Sequence, residues 1–148
     1  MAARGTTSIK MIHPTVSCVK NLLPNIPVGM ARANIPASLS TDEIDLCLIL
    51  SNLLENALEA SLKTAPNRRR IDLTIYPHFT HLLLIQVKNT FEGEIQEKGG
   101  IFQSSKRSSD GIGIQSVRRI CEKNGGASNF SCENGVFIAQ IMLRMDSE

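Results

Sequence analysis

One stretch constrains this chain more than any other. From Ile44 to Leu62 apolar residues recur with helical periodicity, and Pro66 and Asn67 close the run. Placed at about 100° per residue, Leu46, Cys47, Ile49, Leu50, Leu53, Leu54, Ala57, Leu58, Ala60 and Ser61 fill one broad arc. Asp45, Asn52, Asn56, Glu59 and Lys63 form a narrow line on the other side, with Leu48 at its margin. The simplest account of such a line is the solvated face of an amphipathic helix. Two features press against it. A helix apolar round most of its circumference is packed against other elements, so its polar line faces a cleft. Asn is also a mediocre helix former, and two of them sit where Lys, Glu or Gln would serve a helix better. A carboxamide oxygen is a neutral hard ligand, suited to a Mg²⁺ that already carries phosphate oxygens and waters. Ser40 followed by Glu43 has the spacing of a capping box and predicts the start of the helix.

Around that helix the pattern changes period. Arg70 to Tyr76 alternates Ile71, Leu73 and Ile75 with Asp72 and Thr74, and Leu82 to Val87 is a nearly continuous apolar run; with a turn at Pro77 to Thr80 they predict an antiparallel hairpin. Ile112 to Lys123 reads as a second helix, with Ile114, Val117, Ile120 and Cys121 on one face and Asn124-Gly125-Gly126 as its stop. Ala127 to Cys132 and Val136 to Met145 read as strands turned by Glu133-Asn134-Gly135, an Asn-Gly hairpin signal. Asn25 to Ile35 suggests an edge strand limited by Pro27. Residues 1–25, broken by Pro14 and Pro24, read as an extension ahead of a domain over residues 26–148. Hairpin strands with two helices predict an α/β two-layer sandwich (α+β): a mixed, mostly antiparallel sheet of about five strands with helices on one face.

Between the hairpin and the second helix, Thr90 to Asp110 is rich in Gly, Ser, Lys and Glu. A loop of that length inside a compact domain is usually functional, and parts of residues 94–110 are expected to be mobile. It ends in Ser108-Ser109-Asp110-Gly111-Ile112-Gly113-Ile114, running straight into the helix. Glycines there allow close backbone approach to a phosphate, and the helix N-terminus offers unpaired N–H groups. Taken alone, Gly-x-Gly is equally a flexible loop meeting a helix cap. Lys106 and Arg107 lie a few residues upstream, within reach of phosphate oxygens. The pattern is neither a P-loop nor a dinucleotide fingerprint.

Composition excludes several classes. The chain has 148 residues, 42% hydrophobic and 20% charged, with a formal net charge of +2. That suits one folded domain and gives too weak a basic bias for nucleic acid. Trp is absent and there is one Tyr, so base-stacking platforms are scarce. Cys18, Cys47, Cys121 and Cys132 have no metal-ligand spacing and read as buried free thiols of a reducing compartment. No apolar run approaches the ~18 residues of a membrane span, so no membrane contact by this segment is expected.

The asparagine helix and the glycine-rich segment, in this order, resemble the GHKL superfamily of gyrase, heat-shock chaperone, histidine kinase and mismatch-repair ATPase domains. Asn52-Leu53-Leu54-Glu55-Asn56-Ala57 is similar to the histidine-kinase N box, and Gly111-Ile112-Gly113-Ile114 with Ser116-Val117 to the second glycine box. The resemblance covers residues 40–145. Val87-Lys88-Asn89-Thr90-Phe91-Glu92-Gly93 stands where the first glycine box, Asp-x-Gly-x-Gly, belongs; Asn89 replaces the Asp, Phe91 the first Gly, and Gly93 keeps the second. This variant, with Ser105-Lys106 and Gln115-Ser116-Val117-Arg118-Arg119-Ile120, is similar to the peptide-pheromone (quorum-sensing) sensor kinases.

The resemblance implies a histidine-kinase-type ATPase fold and ATP and Mg²⁺ as ligands. Asn56 would be the Mg²⁺ ligand, Asn52 would stand where hydrolytic members carry Glu, and Asn89 would read adenine. Gly93, Gly111, Ile112 and Gly113 would shape the lid and phosphate cradle, and Lys106 and Arg107 would contact phosphate. Glu59 replaces the Lys or Arg common in these kinases, which removes one phosphate contact. Water attack on ATP profits from a carboxylate base; Asn52 cannot be one, and Glu55 projects about 60° off the line. Neutral imidazole needs less help, so the sequence favours transfer to a histidine. His13 lacks the setting of an acceptor, and His78 and His81 flank a turn. The implied acceptor is a histidine-bearing dimerisation domain in trans or upstream, with a response regulator beyond it. The domain would be cytoplasmic and the full-length protein membrane-anchored. The alternatives are a nucleotide-binding or interaction module without turnover, an anti-sigma-type serine kinase on the same fold, and an unrelated α/β interaction domain.

Overall fold

The computed structural model describes residues 7–11, 29–35, 40–79, 81–92, 96–98, 101–103 and 112–145. In chain order these form β1 (Thr7–Met11), β2 (Gly29–Ile35), α1 (Glu43–Leu62), β3 (Ile71–His78), β4 (Leu82–Thr90), β5 (Gln96–Lys98), β6 (Ile101–Gln103), α2 (Ile112–Lys123), β7 (Ala127–Glu133) and β8 (Val136–Arg144), with a 3-10 turn at Pro66–Arg68. The main sheet has six strands in the order β1-β2-β3-β4-β8-β7. Its β1–β2 and β2–β3 pairs are parallel, and β3–β4, β4–β8 and β7–β8 are antiparallel. Both helices pack on one face, which makes the α/β sandwich with a mixed sheet that the sequence predicts.

Burial of α1 drives the arrangement. Leu46, Ile49, Leu50, Leu53, Leu54 and Ala57 join Ile71, Leu73 and Ile75 of β3, Leu83, Ile85 and Val87 of β4, Ala139, Ile141 and Leu143 of β8, and Ile114, Val117 and Cys121 of α2 in one core. Each large aliphatic side chain so buried stabilises by roughly 1.5–3 kcal/mol, whereas an Asn in a helix costs under about 0.7 kcal/mol relative to Ala. Packing therefore holds α1 helical across both asparagines.

The start of α1 differs from the capping-box expectation. Asp42 is the N-cap, without a side-chain cap bond, and Leu46 N–H donates to its carbonyl at 2.9 Å. Glu43 is therefore the first helical residue rather than the third, and acts with Asp45 as first-turn acid toward the helix dipole. At the other end Arg69 takes up the loose carbonyls, donating to Thr64 at 2.9 Å and Leu62 at 3.0 Å.

Three strand expectations change. β2 is an inner strand, because β1, which no sequence pattern announced, pairs along its outer side; Pro27 lies outside the described residues. The β3–β4 hairpin is longer than expected, with β3 continuing through Pro77 to His78 and the turn carried by Phe79 at φ 58°. Part of the long loop pairs as β5 with β6, and Gly99-Gly100 between them is the hairpin signal that the loop reading passed over. The rest of the segment expected to be mobile lies outside the described residues.

The remaining turns follow their local signals. Asn134 (φ 51°) and Gly135 (φ 75°) join β7 to β8 in a two-residue turn. Gly125 (φ 69°) ends α2, and Gly126 N–H reaches back to Cys121 O at 2.8 Å while Gly125 N–H reaches Glu122 O at 3.1 Å, a Schellman closure. The Cys121 thiol is buried, and burial, with Glu122 nearby, pushes its pKa up to about 11; Cys132, by contrast with the expectation of buried thiols, is exposed on β7. Gly126 has a second constraint, since a Cβ there would collide with the Met142 carbonyl. Gly126→Ala is expected to lower stability by about 1–3 kcal/mol, measured by urea unfolding, and an unchanged midpoint would contradict this packing.

Candidate functional site

The two helices run antiparallel in contact, and each end of that contact involves a residue of the polar line. At the start of α1, Asp45 is not a cleft-facing group as the sequence reading had it. It is only 7% exposed, and its Oδ2 accepts hydrogen bonds from Lys123 Nζ at 3.1 Å and Asn124 Nδ2 at 3.0 Å. Asn124 also donates to Ile120 O at 2.8 Å, so the carboxamide is fixed on the last turn of α2. Asn124 first and Lys123 second hold the Asp45 carboxyl below its ordinary pKa, against the opposing effect of burial. The line therefore divides into a structural first member and a set of later members beside the far end of α2.

Asn52 and Asn56 are two of those later members, one turn apart and half-buried. Gly113, in the first turn of α2, faces the second of them. A Cβ on Gly113 would stand 3.2 Å from Asn56 Nδ2 and 3.4 Å from its Oδ1. The absence of a side chain at position 113 thus lets the start of α2 close on the Asn56 carboxamide. Asn56 and Gly113, more than fifty residues apart in sequence as their numbers show, meet in the fold.

Asn89 lies near the end of β4. Burial alternates along this strand, so Leu83, Ile85, Val87 and Asn89 face the helices and Lys88 and Thr90 the open side. Asn89 is 4% exposed, and its Nδ2 donates to Thr90 O at 3.1 Å. A carbonyl only accepts, so this contact fixes which end of the amide is nitrogen and leaves Oδ1 as an acceptor for another group. The chain beyond is held from two sides. Phe91 N–H donates to Gly135 O at 3.0 Å, and Glu92 Oε1 accepts from Ala65 N–H and from Arg68 Nη1, each at 3.3 Å. Glu92 thereby ties the start of the first glycine segment to the turn that ends α1. Arg68 is 64% exposed, so this ion pair itself contributes little to stability.

Of the other residues expected at the site, Ile112 opens α2, and Gly93, Lys106, Arg107 and Gly111 lie outside the described residues, as does His13. Glu59 is half-buried and Lys63 exposed on the same line. Sequence reasoning missed the roles of Asp45 and Glu92; both act through contacts across long sequence separations, for which no local pattern exists.

The Asp45 carboxylate should leave a signature in acid. Its folded-state pKa lies below the unfolded value of about 3.9, so its stabilisation is complete above that pH and fades as pH falls through the folded value. Urea unfolding of wild type and Asp45→Asn is expected to differ at pH 7, with the gap starting to narrow only as pH falls below about 4. A gap that does not narrow in acid would contradict the assignment.

The sequence matches the GHKL domain family over residues 42–144. A comparison with curated proteins finds no match. Among solved structures, the mycobacterial sensor histidine kinase MprB aligns with a TM-score of 0.66 at 15% identity, over 90% of this chain and 95% of that one. Full-length ShkA in complex with AMPPNP also gives 0.66, at 19% identity, over 90% of this chain and 30% of that one. The catalytic domain of histidine kinase ThkA gives 0.55 at 21% identity, over 71% and 69%. These likenesses show a shared fold; the family match, which spans both helices and β3 to β8, shows that the chain belongs to the GHKL domain family.

Proposed function

We propose that this chain is the Mg-ATP-binding catalytic domain of a sensor histidine kinase, transferring the γ-phosphoryl group to a histidine on a separate dimerisation domain. The observation that carries this reading is the meeting of Asn56 with Gly113, which unites the two segments that the family uses for nucleotide. The fold is shared with the mycobacterial sensor histidine kinase MprB and with full-length ShkA, whose structure is in complex with AMPPNP.

The residues fit the ligands. No group of three or more His, Cys, Asp or Glu side chains among the described residues is arranged to hold a cation. A Mg²⁺ here would therefore be shared with nucleotide phosphates and waters, with Asn56 Oδ1 as its ligand from the protein. When bound, the ion would neutralise charge on the phosphates during transfer. Asn89 Oδ1 would accept from the adenine amino group, while its Nδ2 stays on Thr90 O. Lys106 and Arg107 would reach phosphate oxygens. Gly93, Gly111, Ile112 and Gly113 would form the hinges and cradle around them.

Asn52 bears on the reaction. A carboxamide does not take a proton from water, so hydrolysis lacks its base, whereas a histidine acceptor brings its own nucleophilic nitrogen. The histidines of the described residues are badly placed for that role. His81 precedes β4, and Asn89 lies eight residues along, roughly 26 Å at ~3.3 Å per residue. This distance supports an acceptor on another domain, with a response regulator receiving the phosphoryl group. Asn89, Ser105-Lys106 and the run from Gln115 to Ile120 support the peptide-pheromone sensor subgroup. No helix among the described residues is long and apolar enough to cross a membrane; a membrane anchor would be supplied elsewhere in a full-length sensor.

Phe91 favours a second reading. It stands in place of the first glycine of its box and is pinned by its bond to Gly135, which suits a module that binds nucleotide without turnover. Titration with Mg-ATP, followed by radiolabel transfer to a dimerisation domain in trans, separates the two. We expect binding at millimolar nucleotide or below, an acid-labile phosphorylated product, and a loss of affinity of about tenfold or more (~1.4 kcal/mol) in Asn56→Ala with an unchanged circular dichroism spectrum. Binding without transfer would support the module, an acid-stable product a serine kinase. Absence of Mg-ATP binding would overturn the reading.

A further inference from the structure

α2 is fixed unequally at its two ends. Its C-terminal end carries Lys123 and Asn124, both hydrogen-bonded to the buried Asp45 carboxylate, and the glycine closure behind them. Its N-terminal end follows directly on the Gly-x-Gly segment and meets Asn56 through a residue without a side chain. Between them, one apolar stripe of Ile114, Val117 and Cys121 rests on the core, and Arg118 lies over the Phe130 ring at 5.1 Å on the β7 side. A single apolar stripe resists separation from the core but does little against tilting within the plane of contact. On the α1 side, the Asp45 cluster is a polar tie that opposes tilt at this end.

The lever is short and stiff. α2 has 12 residues, a length of about 18 Å at ~1.5 Å per residue. A tilt of about 10° around the Asp45 end would displace the other end by about 3 Å, given that length. That displacement rivals the 3.2 Å between the Gly113 Cβ direction and the Asn56 amide, so even a small tilt changes whether Gly113 covers Asn56.

We propose that Asp45 is a positioning residue for the nucleotide site: by holding the C-terminal end of α2, it sets how closely Gly113 approaches the Asn56 carboxamide and thereby the affinity for Mg-nucleotide. This rests on the reading of Asn56 as a nucleotide-side ligand. Asp45 itself touches no reacting group; its effect travels through the helix.

The test uses the full chain and two readouts. In ¹H–¹⁵N spectra without nucleotide, Asp45→Asn is expected to move the Gly113 backbone amide and the Asn56 side-chain amide while leaving the Gly135 amide in place. In titrations with Mg-AMPPNP, Asp45→Asn and Lys123→Met are each expected to raise Kd about three- to tenfold. Their combination should exceed the larger single effect by less than twofold, since both break one cluster. Gln140→Leu, which breaks the Gln140–Gln86 side-chain bond of 2.9 Å on the open face, gives a destabilised control whose Kd should stay within twofold of wild type. Unmoved Gly113 and Asn56 resonances would overturn the proposal. So would a Kd within twofold of wild type for both Asp45→Asn and Lys123→Met when Asn56→Ala still loses binding. If instead Asn56→Ala binds as wild type while the Gly113 and Asn56 resonances move in Asp45→Asn, the mechanical link stands and the assignment of Asn56 to nucleotide falls.

Discussion

The structure depends on the way α1 is enclosed. A helix with Leu46, Ile49, Leu50, Leu53 and Leu54 on one side has to be covered, and β3, β4 and β8 cover it from below while α2 covers its flank. Outside the buried arc lie the half-buried Asn52 and Asn56 and the exposed Ile44, Leu48, Glu55 and Leu62. Because α2 lies along that flank, Asn56 is not open surface. Asp45 of the polar line is consumed in joining the helices, and Asn56 comes to lie beside the beginning of α2. The approach of Gly113 to Asn56 is thus a by-product of a packing problem solved in one way.

Two glycines show how closely the solution is fitted. Gly113 allows α2 to approach α1, and Gly126 allows the chain leaving α2 to pass the Met142 carbonyl. One lies at each end of the same helix. Between them α2 has a fixed length and fixed neighbours, so it acts as a spacer between the Asp45 cluster and the Asn56 carboxamide. Glu92 does a similar service elsewhere, joining the segment after β4 to the turn after α1.

Much of this was legible in the sequence, and the parts that were not share a cause. The limits of α2, the Asn-Gly turn and the apolar arc of α1 are written in local signals, within one or two turns of chain, and the structure follows them. The alignment of Asn52 with Asn56 was legible because helical spacing alone decides which residues share a face, and both are half-buried. β1 was not legible, since a parallel partner arrives from far along the chain and leaves no hairpin pattern. The helix cap was misread because Ser40-to-Glu43 spacing competes with Asp42, which sits nearer the first backbone bond. Asp45 was read as one more polar residue of the line because its partners are 78 and 79 residues away. Spacing reveals which face a residue occupies; it does not reveal what arrives there.

The alternation along β4 has a further consequence for assembly of the sheet. Asn89, facing the helices, stands between Lys88 and Thr90, facing away. If β4 slipped by one residue against its neighbours, every side chain would exchange faces, and Lys88 would be driven into the space beneath α1. An unpaired ammonium there is far costlier than a misplaced amide or hydroxyl. Lys88 thus guards the register of the central strand, and the placing of Asn89 is secured by the charge of its neighbour.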